Sequence, residues 1–102
     1  MKTRILVADD EPSTAEMLAL ILGYTGYEVV RAYDGAQALQ LAQQTKPDVL
    51  LLDVRMPKLY GSEVTRRLKS DPELAGKVVV LFSSADEEDV NWREAGADAF
   101  LR

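Results

Sequence analysis

Short apolar runs alternate along the chain with segments in which apolar residues recur at helical spacing. The runs are brief and several are rich in β-branched residues, as is typical of buried strands. The predicted strands cover residues 5–8, 28–32, 49–52, 78–82 and 99–101. Four amphipathic helices are predicted between them. The pattern therefore predicts the element order β-α-β-α-β-α-β-α-β.

Two of the predicted strands, 49–52 and 78–82, are apolar without polar alternation. Such strands are typical of the centre of a parallel sheet whose two faces are both covered by helices. The alternation of strands and helices favours the same architecture, because each helix provides the crossover between two parallel strands. No linker, repeat or low-complexity tract interrupts the sequence. We therefore expect a doubly wound α/β fold and a single domain over residues 1–102.

The predicted helices have recognisable ends and apolar positions. Residues suited to the N-termini of the first three helices are, in order, Asp10 or Glu11 before Pro12, Asp34, and Ser62. Asp86 and the other acids at 86–89 suit the first turn of the fourth helix. The second helix is expected to end at Lys46–Pro47, and Gly96 is expected to close a fourth helix over 86–95. The apolar positions are Met17, Leu18, Ile21 and Leu22 in the first helix, Ala38, Leu39 and Ala42 in the second, and Val64 and Leu68, turned inward, in the third.

The composition narrows the chemistry that the chain can perform. Cysteine and histidine are absent, which excludes disulfides, thiolate sites, histidine catalysis and histidine-ligated zinc. A metal site must then use oxygen ligands. The net charge of −5, without a basic stripe, argues against direct binding of nucleic acid. No apolar stretch has the length of a membrane span, and residues 1–4 lack a signal-peptide profile, so we expect a cytoplasmic protein with no membrane partner.

Polar side chains follow three of the predicted strands at the point where each strand ends. Asp9 and Asp10 follow the first strand, Asp53 follows the third, and Ser83 and Ser84 follow the fourth. Ligands of doubly wound sheets bind outside the carboxyl ends of the strands, where the strand order reverses. If strands one, three and four are neighbours, three acids and a hydroxyl gather in one crevice.

Three crowded carboxylates repel one another and ionise together only when a cation is present. A hard divalent ion satisfies them, and magnesium fits best because it keeps waters and leaves room for phosphate oxygens. Such a site suits phosphoryl transfer, in which the metal offsets repulsion between an anionic nucleophile and a phosphoryl group. A carboxylate can itself be the nucleophile and form an aspartyl phosphate.

Three segments resemble the receiver domains of two-component response regulators. They are residues 6–12, LVADDEP, residues 51–57, LLDVRMP, with Gly61 beyond them, and residues 95–101, AGADAFL. The resemblance spans the chain in the right order and spacing. It implies a CheY-like, flavodoxin-like parallel sheet of five strands in the order 2-1-3-4-5.

The resemblance also implies roles for individual residues. Asp53 would be the phosphoacceptor, and Asp9 and Asp10 would bind Mg²⁺ with it, directly or through water. Arg55 would give its backbone carbonyl to the same ion. The phosphoryl group would come from a phosphohistidine on a histidine kinase or phosphotransfer protein, and no metabolic substrate would be turned over.

A conformational switch is implied as well. Ser83 matches the hydroxyl that moves to bond the phosphoryl group, and Ser84 fills the small-residue position after it. Phe100 matches the aromatic residue that rotates inward when the hydroxyl moves. The surface of the fourth helix and fifth strand would then repack, as a shift between two packed states.

Some features depart from the family pattern. Tyr60 stands where an acid is common, and the fourth helix is short. The family's lysine would come directly after Arg102 and precede a fifth helix, so the sequence is expected to be incomplete at its C-terminal end; Lys58 is not assigned the lysine's role. Without that helix, apolar surface over strands one and five would be bare, which predicts a homodimer or an exchange of terminal elements. The alternative function is a phosphorylation-impaired receiver fragment that acts as an interaction or assembly module.

Each candidate residue also has a purely structural interpretation. Asp9 and Asp10 could simply begin a helix, Asp53 could be a loop acid, and Ser83 and Ser84 could cap the fourth helix. Phe100 could be a core residue. Two other functions fit poorly: aspartate phosphatases usually separate their two acids by one residue, and no Gly-x-Gly-x-x-Gly follows the first strand as in dinucleotide-binding folds.

Overall fold

The computed structural model describes residues 2–83 and 92–101. These residues form five strands and four helices in strict alternation. The strands are β1 (Arg4–Ala8), β2 (Glu28–Ala32), β3 (Val49–Asp53), β4 (Val78–Phe82) and β5 (Ala99–Leu101). The helices are α1 (Pro12–Tyr24), α2 (Gly35–Thr45), α3 (Gly61–Lys69) and α4 (Trp92–Ala95). The predicted element order is therefore confirmed.

The five strands form one parallel sheet in the order β2-β1-β3-β4-β5. In register, Leu6 of β1 lies beside Leu50 of β3, which lies beside Val79 of β4. All three side chains are fully buried. The flavodoxin-like fold and its strand order, which the resemblance implied, are confirmed.

One face of the sheet carries the larger part of the core. The buried row of Leu6, Leu50 and Val79 packs with residues of α2 and α3 on this face. Val64 and Leu68 are buried as predicted, and so are Ala38 and Ala42, with Leu39 packed at their edge. Close packing of these side chains sets the positions of α2 and α3 against the carboxyl ends of the strands.

The opposite face is covered by α1 only over β1 and β2. Val7 of β1 is fully buried there, whereas its register partner Leu51 is half-buried, and Val78 at the start of β4 is 45% exposed. The prediction that strand one would be bare is therefore wrong, because α1 shields it. The uncovered apolar surface lies over β3, β4 and the edge strand β5, where Leu101 is also exposed.

The apolar residues that recur at helical spacing in α1 do not all lie on a buried face of the helix. Met17 is 56% exposed and Ile21 is similarly exposed, while Leu18 and Leu22 are half-buried. Ala15 is the fully buried side chain of this helix. The helix is apolar on both its inner and its outer side, so periodicity alone could not identify the side that packs on the sheet.

The helix ends confirm some predictions and correct others. Pro12 begins α1, and Asp34 caps α2 by accepting a hydrogen bond from the backbone N–H of Gln37 at 2.7 Å. The predicted cap at Ser62 is wrong, because α3 already begins at Gly61 and Tyr60 is its N-cap residue. Glu11 precedes α1 but makes no side-chain cap.

The end of α2 follows the prediction. Lys46 adopts a left-handed conformation with φ 48° directly before Pro47, and its N–H donates to the carbonyl of Ala42. Predictions that concern Ser84, the helix start and acids at 86–89, and Arg102 lie outside the described residues. Within residues 2–83 and 92–101, no helix has the length and apolar character needed to cross a bilayer.

Candidate acidic site at the carboxyl ends of the strands

The carboxyl ends of three neighbouring strands meet around one pocket. Asp9 follows β1, Asp53 is the last residue of β3, and Ser83 follows β4. The pocket has a volume of about 230 Å³. Its lining consists of Asp9, Asp10, Glu11, Thr14, Asp53, Arg55 and Ser83. The crevice expected from the sequence is therefore present, and β1 lies next to β3 at the point where the strand order reverses.

The three carboxylates of the pocket lie close together. Asp9, Asp10 and Asp53 each place a carboxylate oxygen within 4.8 Å of the others. Asp9 is 4% exposed and Asp53 is 7% exposed, whereas Asp10 is open to solvent. Two buried carboxylates at this distance repel each other strongly because little water screens them.

Backbone hydrogen bonds hold the two buried carboxylates in place. The N–H of Glu11 donates to Oδ1 of Asp9 at 2.9 Å. The N–H of Arg55 donates to Oδ1 of Asp53 at 3.3 Å. Both bonds join residues two apart, as in the Asx turns that Asp side chains form where a strand passes into a loop.

Burial and the neighbouring charges perturb the pKa values of the two buried carboxylates. Burial raises the pKa of Asp53 to about 6, with the negative charge of Asp9 as the second cause. Burial also raises the pKa of Asp9, and the N–H of Glu11 partly opposes this change. A buried carboxylate in a cleft whose pKa is raised as far as that of Asp53 is a candidate for a functional residue.

The donor set fits a divalent cation with hard oxygen ligands. Asp9, Asp10 and Asp53 bring carboxylate oxygens to one point from two adjacent strand ends. A divalent cation would stabilise the ionised forms of the two buried carboxylates, whose pKa values are raised chiefly by burial. Histidine and cysteine, the ligands that favour zinc, do not occur in the sequence.

Ser83 belongs to the pocket and is also tied to the last strand. Its side chain is buried, and its backbone N–H donates to the carbonyl of Leu101 at 3.1 Å. This bond joins the pocket wall to the residue next to Phe100. Ser83 is thus placed between the carboxylates and the end of β5.

Phe100 is not part of the pocket. It is half-buried at the edge of the core, and its ring centroid lies 6.5 Å from that of Trp92 in α4. The guanidinium of Arg93 lies 4.8 Å from the centroid of the Trp92 ring. The sequence candidates therefore divide into five residues that line the pocket and one that contacts α4.

Two pocket residues, Glu11 and Thr14, were not predicted from the sequence. They lie at the start of α1, which begins two residues after Asp10. A helix that starts so soon after an acidic strand end must place its first turn at the mouth of the pocket. The position of Pro12 could have indicated this.

A larger groove of about 470 Å³ lies away from the acidic site, between α1 and the edge strand β2. Leu20, Tyr24, Tyr27 and Val29 provide most of its apolar lining. At one end, Glu16 accepts hydrogen bonds from Arg31 at 2.6 Å and from Tyr33 at 2.9 Å. The groove lacks the clustered carboxylates that define the smaller pocket.

A five-stranded doubly wound sheet of this order, with an acidic pocket at its switch point, has the CheY-like architecture. Chemotaxis protein CheY4 of Vibrio cholerae superposes on the chain with a TM-score of 0.91 at 27% identity, over 99% of this chain and 86% of that one. Residues 5–102 match the family described as the response regulator receiver domain. The chain belongs to this family.

Two relatives by sequence carry response regulator names. Response regulator MprA of Mycobacterium ulcerans is 41% identical over 101 residues, which are 99% of this chain and 44% of that protein. DNA-binding response regulator MtrA of Mycolicibacterium smegmatis is 39% identical over 102 residues, again 99% of this chain and 44% of the relative. The chain thus spans less than half the length of either relative.

Proposed function

We propose that the chain accepts a phosphoryl group on Asp53 in a reaction that requires Mg²⁺. The observation that carries the proposal is the position of Asp53, buried at the end of β3 with Asp9 and Asp10 beside it. A buried carboxylate whose pKa is about 6 is still largely ionised at neutral pH and can act as a nucleophile.

The residues present can hold the metal. Asp9, Asp10 and Asp53 would supply carboxylate oxygens, and Arg55, whose N–H already bonds to Asp53, would supply its backbone carbonyl. When bound, Mg²⁺ offsets the repulsion between the carboxylates and the incoming phosphoryl group. The chain itself fixes the direction of Asp53 through β3 and through the Arg55 N–H.

The phosphoryl donor is a phosphohistidine of a histidine kinase or phosphotransfer protein. A carboxylate oxygen of Asp53 forms the new O–P bond while the P–N bond of the donor breaks. The leaving imidazole nitrogen keeps the bonding electrons and, where it is not already protonated, takes up a proton. Asp53 must be ionised at this step, since protonation removes the lone pair that attacks.

We further propose that Ser83 and Phe100 transmit the phosphorylated state. The buried hydroxyl of Ser83 lines the pocket and can move to a phosphoryl oxygen on Asp53. The bond from the Ser83 N–H to the Leu101 carbonyl couples such a movement to β5. Phe100 would then reorient against Trp92 and change the surface of α4.

Membership of the receiver family supports the setting that we propose for this reaction. We propose that a histidine kinase delivers the phosphoryl group in the cytoplasm and that the chain turns over no metabolite. One relative is named a DNA-binding response regulator, and binding of DNA by a longer protein would fall to parts beyond this sequence. The acidic chain itself, with a net charge of −5, is not expected to contact nucleic acid.

A second copy of the chain is a further proposed partner. Val78 and Leu101 leave apolar surface exposed over β4 and β5, and Met17 and Ile21 do so on α1. Burial of such surface drives association. Light scattering over a range of concentrations should show a homodimer or exchanged dimer, and a mass that stays monomeric throughout would contradict it.

Incubation of the chain with Mg²⁺ and acetyl phosphate, followed by intact mass measurement, tests phosphoryl acceptance. The chain should gain one phosphoryl group, and Asp53→Ala should gain none. Asp71→Asn is the matched control, because Asp71 lies at the turn after α3, away from the pocket. It should be labelled like the unchanged chain. If a folded chain binds Mg²⁺ but gains no mass, the alternative of an interaction module replaces the proposal.

A further inference from the structure

Two glycines enclose the loop that follows Asp53. Gly35 and Gly61 are the first residues of α2 and α3, and residues 54–60 run between them. A Cβ atom on Gly35 would lie 2.3 Å from the carbonyl oxygen of Leu59 and 2.5 Å from its Cβ. A Cβ atom on Gly61 would lie 2.4 Å from the carbonyl oxygen of Asp53. The start of α2 thus lies against the backbone of the loop, and the start of α3 lies against the backbone at the end of β3.

Hydrogen bonds accompany these contacts. The N–H of Gly35 donates to the carbonyl of Pro57 at 3.2 Å. The N–H of Gly61 donates to the carbonyl of Val54 at 2.9 Å. Both helix starts therefore use an N–H that has no partner inside its own helix to hold the loop.

An ion pair lies beside the first contact. Nζ of Lys58 is 3.5 Å from Oδ2 of Asp34, and the other carboxylate oxygen of Asp34 caps α2. Lys58 has a φ of 72°, a conformation that non-glycine residues adopt at a cost. Lys58 is largely exposed and the two charged atoms are 3.5 Å apart, so the contribution of the pair to stability is small. The contact between Gly35 and Leu59 constrains the loop more than the ion pair does, because the two backbones leave no room for a Cβ atom between them.

The loop carries groups that the acidic pocket requires. Arg55 lines the pocket and donates its N–H to Asp53. Moving Leu59 far enough to accept a Cβ on Gly35 requires a displacement of about 1 Å to reach ordinary van der Waals distance. A displacement of that size in a supporting group is enough to impair a metal or reaction site.

We propose that Gly35 is a positioning residue for the acidic site. Because Gly35 has no side chain, the start of α2 can lie against Leu59. This contact holds the loop in the position where the Arg55 N–H donates to Asp53 and where the Arg55 carbonyl would bind the metal. This inference rests on the proposed function, since it assigns Gly35 a role toward the same Mg²⁺ site. The close contacts of Gly35 are with Leu59 and Pro57 of the loop, so Gly35 would act on the site through the loop.

Gly35→Ala tests the proposal, with the Mg²⁺ dissociation constant of the folded chain as the readout. The constant should rise by roughly tenfold or more, the range expected when a supporting contact of a metal site is lost. Gly23→Ala is the matched control, because a Cβ on Gly23 meets nothing within 4 Å. Its Mg²⁺ affinity should stay unchanged.

A second control separates positioning from loss of stability. Leu74→Ala removes a buried side chain near the opposite ends of the strands and should lower the free energy of unfolding. Its Mg²⁺ affinity, measured under conditions where it is folded, should match that of the unchanged chain. If Gly35→Ala binds Mg²⁺ as tightly as Leu74→Ala does, Gly35 has only a structural role and the proposal is overturned.

If Gly35→Ala does not fold, hydrogen exchange of the unchanged chain tests the positioning role of Gly35. Mg²⁺ should slow exchange of the Gly35 N–H, which bonds to Pro57, more than that of the Lys46 N–H at the far end of α2. Equal slowing of both amides would overturn the proposal. Failure of the unchanged chain to bind Mg²⁺ would instead overturn the proposed function as well, so the two failures are distinguishable.

Discussion

The carboxylates of Asp9 and Asp53 lie within 4.8 Å of each other at the ends of two neighbouring strands, and both are buried. The pKa of each is raised above the ordinary value of 3.8, chiefly by burial. The pocket therefore holds more negative charge than its surroundings stabilise. A cation or a proton relieves this repulsion.

Asp53→Asn should stabilise the metal-free chain at pH 7.5. Because the folded-state pKa of Asp53 is raised to about 6, stability associated with its neutral form is fully present below 3.8 and is lost as the pH rises through about 6. A pKa difference of this size corresponds to at most about 3 kcal/mol. Urea unfolding in the presence of EDTA measures the gain.

The same experiment includes a pH series and a control. The unchanged chain should be more stable at pH 5 than at pH 7.5, and this difference should shrink in Asp53→Asn. Asp71→Asn should behave like the unchanged chain. Equal stability of Asp53→Asn and the unchanged chain at pH 7.5 would show that the charge of Asp53 does not destabilise the fold.

Binding of Mg²⁺ should weaken as the pH falls. Metal ligands must be deprotonated, so protons compete with the ion for Asp53. With a pKa of about 6, the apparent affinity should fall by about tenfold between pH 7 and pH 5. Titration calorimetry at the two pH values measures the change. An affinity that does not depend on pH in this range would exclude Asp53 as a ligand.

A network at the opposite ends of the strands should stabilise the fold without affecting the site. Oδ2 of Asp98 accepts the N–H of Val79 at 2.8 Å and lies 3.2 Å from Nζ of Lys69, which also donates to the carbonyl of Lys77. Lys69→Met should lower the free energy of unfolding by about 1 kcal/mol. Thermal or urea unfolding measures it.

The control for this variant is Lys46→Met, which removes an exposed ion pair with Glu73. Its effect should be smaller, because exposed pairs contribute little. The N–H of Val79 holds the pKa of Asp98 below its ordinary value, with Lys69 adding to the effect. This part of the stability should therefore be lost as the pH falls through that lowered pKa. If Lys69→Met and Lys46→Met have equal effects, the network is not stabilising.

Fluorescence of Trp92, the single tryptophan of the sequence, should report phosphorylation. Its ring contacts Phe100, so a reorientation of Phe100 changes the surroundings of the indole. Emission should change on addition of acetyl phosphate and Mg²⁺, and the change should be absent in Asp53→Asn. Phe100→Leu should reduce it. An emission spectrum that stays constant while the mass rises by one phosphoryl group would show that the signal does not reach α4.

The acidic site could be predicted from the sequence because its residues sit at strand ends. Asp9 and Asp53 follow apolar runs directly, and parallel strands bring their carboxyl ends to one edge of the sheet. The order of the strands did not follow from the pattern and came from the resemblance to receiver domains. Packing around Gly35 and Gly61 could not be predicted, because it depends on contacts between distant segments.

The errors of prediction have the same origin. Ser62 resembles a helix cap by type, but Gly61 approaches Asp53 and bonds to Val54, and α3 begins two residues earlier than a cap at Ser62 would allow. Strand one was expected to be bare, but α1 covers its Val7 and leaves Leu51 of β3 partly exposed instead. Local sequence describes which residues suit an element, whereas packing decides where the element begins and what it covers.

The most direct test of the account locates the phosphoryl group. The chain is phosphorylated with acetyl phosphate and Mg²⁺, reduced with borohydride, which converts an aspartyl phosphate to homoserine, and digested for peptide mass sequencing. We predict homoserine at position 53, dependent on Mg²⁺, with Asp9 and Asp10 unchanged. Homoserine at position 9 or 10, or none in a chain that has gained phosphoryl mass, would contradict phosphorylation of Asp53.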